Sequence, residues 1–181
     1  MARVPYLSKA DLAVSDQDLL DRDLNLYRAL ANSPAAARAF AAPALYLRHE
    51  SALDPRLREL AIVQVGYVTG VSYVYAHHIE IGIDAGLKPA DIRAIALNTA
   101  GEKSHFNSLE RTVLATAREL VAGPALSDST YATLREALDP ERVVDLIMVI
   151  SVYCGVVRLL GALQIELEEG YAQYLDDFPL P

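Results

Sequence analysis

The sequence predicts an all-α protein, and three observations support this fold class. Apolar residues recur every three or four positions in most segments, as they do on one face of a helix. Asp-Pro pairs at 54–55 and 139–140 are strong helix starts. The β-branched runs 61–68 and 145–157 are also compatible with buried strands, but they continue too far for single strands and no hairpin turn follows them.

The N-terminal part of the chain predicts two helices. Residues 15–31 are rich in aspartate and carry apolar residues at helical spacing, with Ser15 as the N-cap. A second helix, over residues 33–50, opens with a Ser-Pro pair, and proline is favourable in a first turn. Pro43 lies inside that segment and is expected to break or kink it.

The middle of the chain predicts a helical hairpin. A helix over residues 54–70 is joined by a tight Thr-Gly turn to a helix over residues 72–86, which ends at Gly86. Further helices are predicted over 88–98, 107–123 and 127–138, followed by one long helix over 139–170 or two joined near Gly155. The arm at 171–181 is expected to pack on the body or on a neighbouring subunit.

Composition narrows the classes of function. The chain has 181 residues and a net charge of −8, which favours one domain and argues against binding to nucleic acid or anionic membrane surfaces. We expect no membrane-spanning run and no secretory leader. The single cysteine, Cys154, excludes an internal disulfide and a multi-cysteine metal site, so the cytoplasm is the expected compartment.

Two adjacent histidines stand in the second helix of the hairpin. Helical spacing places His78 on an apolar stripe, whereas His77 lies about 100° round the helix, where it could pair with Glu80 on a wetter face. His78 is therefore the inward candidate for proton transfer, although a core histidine bonded to a backbone group would give the same pattern. Because the two rings are expected to point apart, no metal site is predicted.

Glu59 is the candidate partner of His78. Antiparallel packing of the hairpin would place this carboxylate opposite the later turns of the second helix, within reach of the imidazole. The alternative makes Glu59 a surface residue paired with Arg56 or Arg58. Tyr73 and Tyr75 add phenol groups near the site, although tyrosines at helical spacing are often packing residues.

These residues also carry a family resemblance. The stretch "RELAIVQVGYVTGVSYVYAHHIEIGIDAGL" resembles the carboxymuconolactone decarboxylase and alkylhydroperoxidase D-like family over roughly residues 35–170. Redox members of that family carry Glu, eleven residues, Cys-x-x-Cys, three residues and His. That frame falls on Glu59, Val71, Val74 and His78, with Tyr73 before the second cysteine position. The resemblance implies a single-domain all-α bundle of about 7–9 helices over residues 1–181, assembled as a homo-oligomer, a trimer or hexamer.

The departure from the frame limits the chemistry. Valine at both cysteine positions cannot attack or resolve a peroxide, and Cys154 lies far away in an apolar helix. Some decarboxylase-type members carry a carboxylate where Val74 stands, so that activity does not follow from the resemblance either. The resemblance leaves Glu59, Tyr73 and His78 as an acid–base set, with Val71, Val74, Tyr75 and His77 as candidate substrate contacts.

The predicted function is cofactor-free proton transfer. We expect a lyase, decarboxylase or isomerase acting on a small organic acid, lactone or enol, with His78 and Glu59 as the proton-transfer groups. Two alternatives remain open. One is a member of the peroxidase type that has lost its thiols, and the other is a non-catalytic protein that binds a small hydrophobic ligand.

Overall fold

All elements of secondary structure are helices in the computed structural model, which describes residues 1–181. This confirms the predicted all-α class, including the buried runs that were compatible with strands. Nine α-helices and three short 3₁₀-helices follow one another along the chain. The α-helices are α1 (Asn25–Leu30), α2 (Pro34–His49), α3 (Pro55–Thr69), α4 (Ser72–Asp84), α5 (Pro89–Thr99), α6 (Ser108–Ala122), α7 (Asp128–Ala137), α8 (Pro140–Leu163) and α9 (Ala172–Asp177).

The two Asp-Pro helix starts open the two central helices. The Asp54 side chain accepts hydrogen bonds from the first turn of α3, and Asp139 does the same for α8. Helix α3 packs against α4, α6 and α8, and its residues from 57 to 66 are all buried. A helix that is apolar on nearly every side lies at the centre of a bundle, which explains the strand-like composition of these two segments.

Helices α3 and α4 form the predicted hairpin. Gly70 ends α3 in the left-handed conformation, with φ of 65°, where a side chain would be strained. A Cβ atom at Gly66 would lie 2.8 Å from the backbone nitrogen of Tyr75, so this glycine lets the two helices approach closely. Gly86 has φ of 99° just after α4, which confirms it as the residue that ends the hairpin.

The N-terminal half departs from the predictions. The helix expected over residues 15–31 is divided into a 3₁₀-helix, Val14–Leu20, and α1, and Ser15 is not an N-cap. Its carbonyl oxygen and two aspartates instead accept hydrogen bonds from Arg38, because aspartate competes for local partners better than it continues a helix. Helix α2 runs through Pro43 without a break, since proline removes a single backbone hydrogen bond between alanine-rich turns of high helix propensity.

The C-terminal region returns across the bundle. Helix α8 passes through Gly155 without interruption but stops at Leu163 rather than near residue 170, because Gln164 adopts a left-handed conformation with φ of 53°. Residues 164–178 are called the C-terminal strap below. The strap includes α9, which packs on α4. Phe178 is buried beneath the Arg93 guanidinium, so the arm packs on the body.

Helix α8 is long and apolar enough to cross a membrane, judged by length and composition alone. The expectation that no apolar run reaches this length was therefore wrong. Val143, Leu146, Val149 and Ile150 of this helix are buried in the main hydrophobic cluster, as in the core helix of a bundle.

Candidate active site

Glu59 and His78 form a buried pair between α3 and α4. Glu59 Oε2 lies 2.7 Å from Nδ1 of His78, and the two residues are 2% and 7% exposed. The carboxylate can only accept, so Nδ1 carries the proton that it donates to Glu59, and Nε2 is the ring nitrogen that this pair leaves unused. Nε2 has no hydrogen-bond partner within the protein. The predicted proximity of the two residues is confirmed, although their chemical role stays a prediction.

Arg58 holds the other side of the carboxylate. Its Nε donates to Glu59 Oε1 at 2.9 Å, while Nη1 donates to the Leu47 carbonyl. Burial alone would raise the pKa of Glu59, but the positive charge of His78 and the hydrogen bonds from His78 and Arg58 lower it below its usual value. Glu59 is therefore an ionised, buried carboxylate, and the alternative of a surface residue is wrong.

A cavity of about 230 Å³ lies on the other side of His78. It is enclosed by α1, α2, α4 and α8, and most of its wall is hydrophobic. The polar side chains in the wall are histidines, tyrosines and arginines, and no carboxylate lines it. The polar lining residues are Arg22, Tyr27, Arg48, His49, Tyr73, His77, His78 and Tyr153.

His77 is not the outward residue that helical spacing predicted. It is 5% exposed, and its ring is stacked between Tyr73 and Tyr171, with centroids 4.4 and 3.7 Å away. Its Nε2 lies 2.7 Å from Glu168 of the C-terminal strap, whereas Glu80 instead accepts from the Tyr174 hydroxyl. The strap covers the face of α4 that would otherwise meet water, and this contact is invisible to helical spacing.

The covered position changes the charge state of His77. Burial, followed by the positive charges of His78 and Arg22, lowers the pKa of His77 to about 3. His77 is thus neutral at physiological pH and donates its Nε2 proton to the Glu168 carboxylate. Both histidines reach the same cavity, each oriented by its own glutamate.

The structure separates the remaining predicted residues. Tyr73 lines the cavity, and its hydroxyl donates to Glu168 Oε1 at 3.1 Å. Val74 also lines it, so one of the two positions at which redox members of the family carry cysteine is part of the wall. Val71 packs on the main core without lining the cavity. Tyr75 points into the second hydrophobic cluster, beside Tyr67, because it lies on the opposite side of α4.

Sequence reasoning missed Tyr153, which lies on α8. Its ring meets the His78 ring edge-on with centroids 4.7 Å apart, and it lines the cavity. The sequence offered one indication, a tyrosine hydroxyl within an otherwise apolar helix. No rule of helical spacing relates residue 153 to residue 78, because the two lie on different helices. The arginines at 22 and 48 were missed for the same reason, since they come from separate segments.

Comparison with known proteins identifies the segment that carries the site. Residues 34–102, which include Glu59 and His78, match the model of the carboxymuconolactone decarboxylase family. Over this segment, which is less than half of the chain, the protein is similar to that family. The resemblance seen in the sequence is thereby confirmed. A search of curated protein sequences returned no significant match.

Solved structures share the fold of this chain. A peroxidase-related protein with an alkylhydroperoxidase AhpD core from Ralstonia eutropha JMP134 matches with a TM-score of 0.80 at 19% identity, over 99% of this chain and 98% of that one. The debrominase Bmp8 in complex with 2,3,4-tribromopyrrole matches with a TM-score of 0.78 at 17% identity, over 98% and 100%.

A peroxidase-related protein from Silicibacter sp. TM1040 gives a TM-score of 0.76 at 18% identity, over 93% of this chain and 92% of that one. At these identities the matches establish the alkylhydroperoxidase D-like fold and nothing further about the reaction.

Proposed function

We propose that this protein is a cofactor-free acid–base enzyme, a lyase, decarboxylase or isomerase, acting on a small organic acid, lactone or enol. One observation carries the proposal: a buried carboxylate holds His78 by Nδ1, while the free Nε2 belongs to a ring that lines an apolar cavity. An imidazole fixed in one tautomer by a carboxylate is the usual arrangement of a general base. The mostly apolar wall makes the surroundings of His78 less polar than water, which strengthens the interactions of charge there.

The step itself needs no external redox partner. Nε2 takes a proton from carbon or oxygen of the substrate, and the imidazolium that forms is stabilised by the ionised Glu59. The same proton is then returned to another atom of the substrate or of the product. Decarboxylation fits the same machinery. Nε2 takes the proton of the substrate carboxyl group, the carbon–carbon bond breaks to release carbon dioxide, and the imidazolium returns that proton to the carbanion.

The charges at the cavity support an anionic substrate. The guanidinium groups of Arg22 and Arg48 line it, and neither has a carboxylate partner. Uncompensated positive charge at one mouth is notable in a chain of net charge −8, and it attracts small organic anions. Replacement of Arg48 by alanine is therefore expected to raise KM about tenfold for an anionic substrate, with little effect on kcat.

A thiol peroxidase activity has less support. The cysteine positions of the frame are Val71 and Val74, and Cys154 is 8% exposed, with its sulfur 3.7 Å from the Leu120 carbonyl. Peroxide reduction needs an accessible thiolate. We expect no thiol-dependent peroxide reduction from the parent, and a Cys154→Ser variant that reduced peroxide would exclude the last thiol as its source.

A non-catalytic binder of a small hydrophobic ligand is the second candidate function. The mostly hydrophobic wall favours it, and the debrominase of the same fold holds a small brominated heteroaromatic ring. The two functions differ in their dependence on His78. Ligand binding that is unaffected by pH and by His78→Ala would favour the binder.

The decisive experiment follows exchange of carbon-bound hydrogen in heavy water. A panel of small keto acids and lactones is incubated with the parent, His78→Ala and Glu59→Gln, and proton NMR monitors the loss of α-hydrogen signals. We expect exchange or turnover with the parent and at least a hundredfold loss in both variants. A matched control is Glu136→Gln, an exposed carboxylate on α7. Variants that react like the parent would reject the assignment.

Three further expectations stay predictions: assembly as a trimer or hexamer, a small-molecule substrate without nucleic-acid or membrane partners, and a cytoplasmic location. Analytical ultracentrifugation of the purified chain tests the first of them directly.

A further inference from the structure

Tyr153 occupies a distinctive position among the tyrosines of the cavity. Three tyrosines line it, namely Tyr27, Tyr73 and Tyr153. The Tyr73 hydroxyl is used by Glu168 and by the Leu26 amide, and Tyr27 lies towards the mouth under the Arg22 guanidinium. Tyr153 alone meets the ring of His78, and its hydroxyl has no hydrogen-bond partner in the protein. Tyr153 is half-buried and its hydroxyl is not enclosed by the protein, so a ligand that enters the cavity can accept a hydrogen bond from it.

The hydroxyl is suited to donate rather than to accept a proton. Burial, followed by the negative charge of Glu59, raises the pKa of Tyr153 well above its usual range, and the positive charge of Arg48 offsets this in part. The phenol is therefore neutral at physiological pH. A neutral donor in an apolar wall stabilises negative charge that develops on an oxygen atom nearby.

We propose that Tyr153 is a second catalytic group, which donates a hydrogen bond to the carbonyl oxygen of the substrate while His78 removes a proton from the adjacent carbon. This inference rests on the proposed acid–base function. The electrons of the carbon–hydrogen bond form a carbon–carbon double bond, and the carbonyl electrons move to the oxygen. The enolate oxygen is held by the Tyr153 hydroxyl, and the imidazolium of His78 then returns the proton to carbon, leaving both side chains unchanged.

The geometry narrows the substrate class. The rings of His78 and Tyr153 are in contact, with centroids 4.7 Å apart, and both line the same cavity, so the two side chains can reach neighbouring groups of one small substrate. A carbonyl with an acidic hydrogen on its neighbouring carbon meets this requirement, as does a carboxylate whose loss leaves an enolate. Simple alcohols, ethers and phenyl compounds are excluded as substrates, because they have no carbonyl oxygen that gains negative charge beside the Tyr153 hydroxyl.

The test uses 4-nitrophenol, whose phenolate resembles an enolate and absorbs visible light. Titration of the parent over a range of pH is expected to show preferential binding of the phenolate and a lowered apparent pKa of the bound ligand. Tyr153→Phe retains the ring and removes the donor, and we expect it to bind the phenolate about tenfold more weakly. Because no protein hydrogen bond is lost, its melting temperature should equal that of the parent. The control Tyr131→Phe changes an exposed tyrosine on α7 and should bind like the parent.

The outcomes separate the two proposals. Tyr153→Phe binding the phenolate as tightly as the parent at every pH overturns the role of Tyr153, and so does a parent that does not bind the phenolate at all. If His78→Ala and Glu59→Gln still abolish hydrogen exchange, the acid–base function survives that failure. If all three variants exchange hydrogen like the parent, both proposals fail.

Discussion

Replacement of Glu59 by glutamine tests how the site is held together. The side chain keeps its shape and loses its charge, which leaves the buried guanidinium of Arg58 without a charged partner. Removing one partner of a buried pair costs roughly 3–5 kcal/mol. The glutamine oxygen still accepts one hydrogen bond from Arg58, which returns roughly 1 kcal/mol. The expected net loss of unfolding free energy is roughly 2–4 kcal/mol, or about 5–15 °C in melting temperature for a chain of this size.

The sign of the pH dependence follows from the lowered pKa of Glu59. A carboxylate whose pKa is lower in the folded than in the unfolded state stabilises the fold above its unfolded pKa, and this contribution is lost as pH falls through the folded pKa. Thermal melting of the parent and of Glu59→Gln should therefore differ most at neutral pH. The difference should begin to shrink below about pH 4, the ordinary pKa of glutamate, and vanish only below the lowered pKa of the folded state. Glu136→Gln should melt within about 2 °C of the parent. A gap below 2 °C at pH 7 for Glu59→Gln would refute the reasoning.

Two matched pairs of variants test the neighbouring structure. Glu168→Ala removes three hydrogen bonds, to His77, Tyr73 and the Asn25 amide, so we expect a loss of about 2–3 kcal/mol and faster limited proteolysis of the C-terminal strap. Glu169→Ala, one residue along and exposed, should be cut at the parental rate. Gly66→Ala forces α3 and α4 apart and should cost about 1–3 kcal/mol and most of the activity, whereas Gly155→Ala meets no atom within 4 Å and should raise stability by about 0.5–1 kcal/mol. Thermal melting measures the stability of both glycine variants. A Gly66→Ala variant that melts above Gly155→Ala would contradict the close packing described for the hairpin.

Features that depend on a few neighbouring residues were predicted well. The caps at Asp54 and Asp139, the turn at Gly70 and the end of α4 at Gly86 rest on local hydrogen bonding and allowed backbone angles. The pair of Glu59 and His78 also belongs here, because a tight turn between two helices of known length sets which residues face each other. Helix ends without a strong signal, such as Leu163, were placed too late.

Features that depend on distant segments were not predictable in this way. Periodicity placed His78 inside, but it placed His77 in water, because the strap that covers it is about ninety residues away. Tyr153 was missed for a similar reason, because it is also far from His78 in sequence. It contacts His78 because α8 packs on α3, next to α4. The prediction of one helix over residues 15–31 was wrong because Arg38, from the next helix, donates hydrogen bonds to Asp16 and Asp18.

The sequence by itself therefore determined the helical class, the family segment and the carboxylate–imidazole pair, all of which are encoded in short-range spacing. The tertiary structure alone decided that both histidines face one cavity, that its mouth is cationic and that a third polar group, Tyr153, stands beside His78. The physical reason is that a helix reports its own faces through its period, whereas what covers each face depends on which apolar surfaces the rest of the chain must bury.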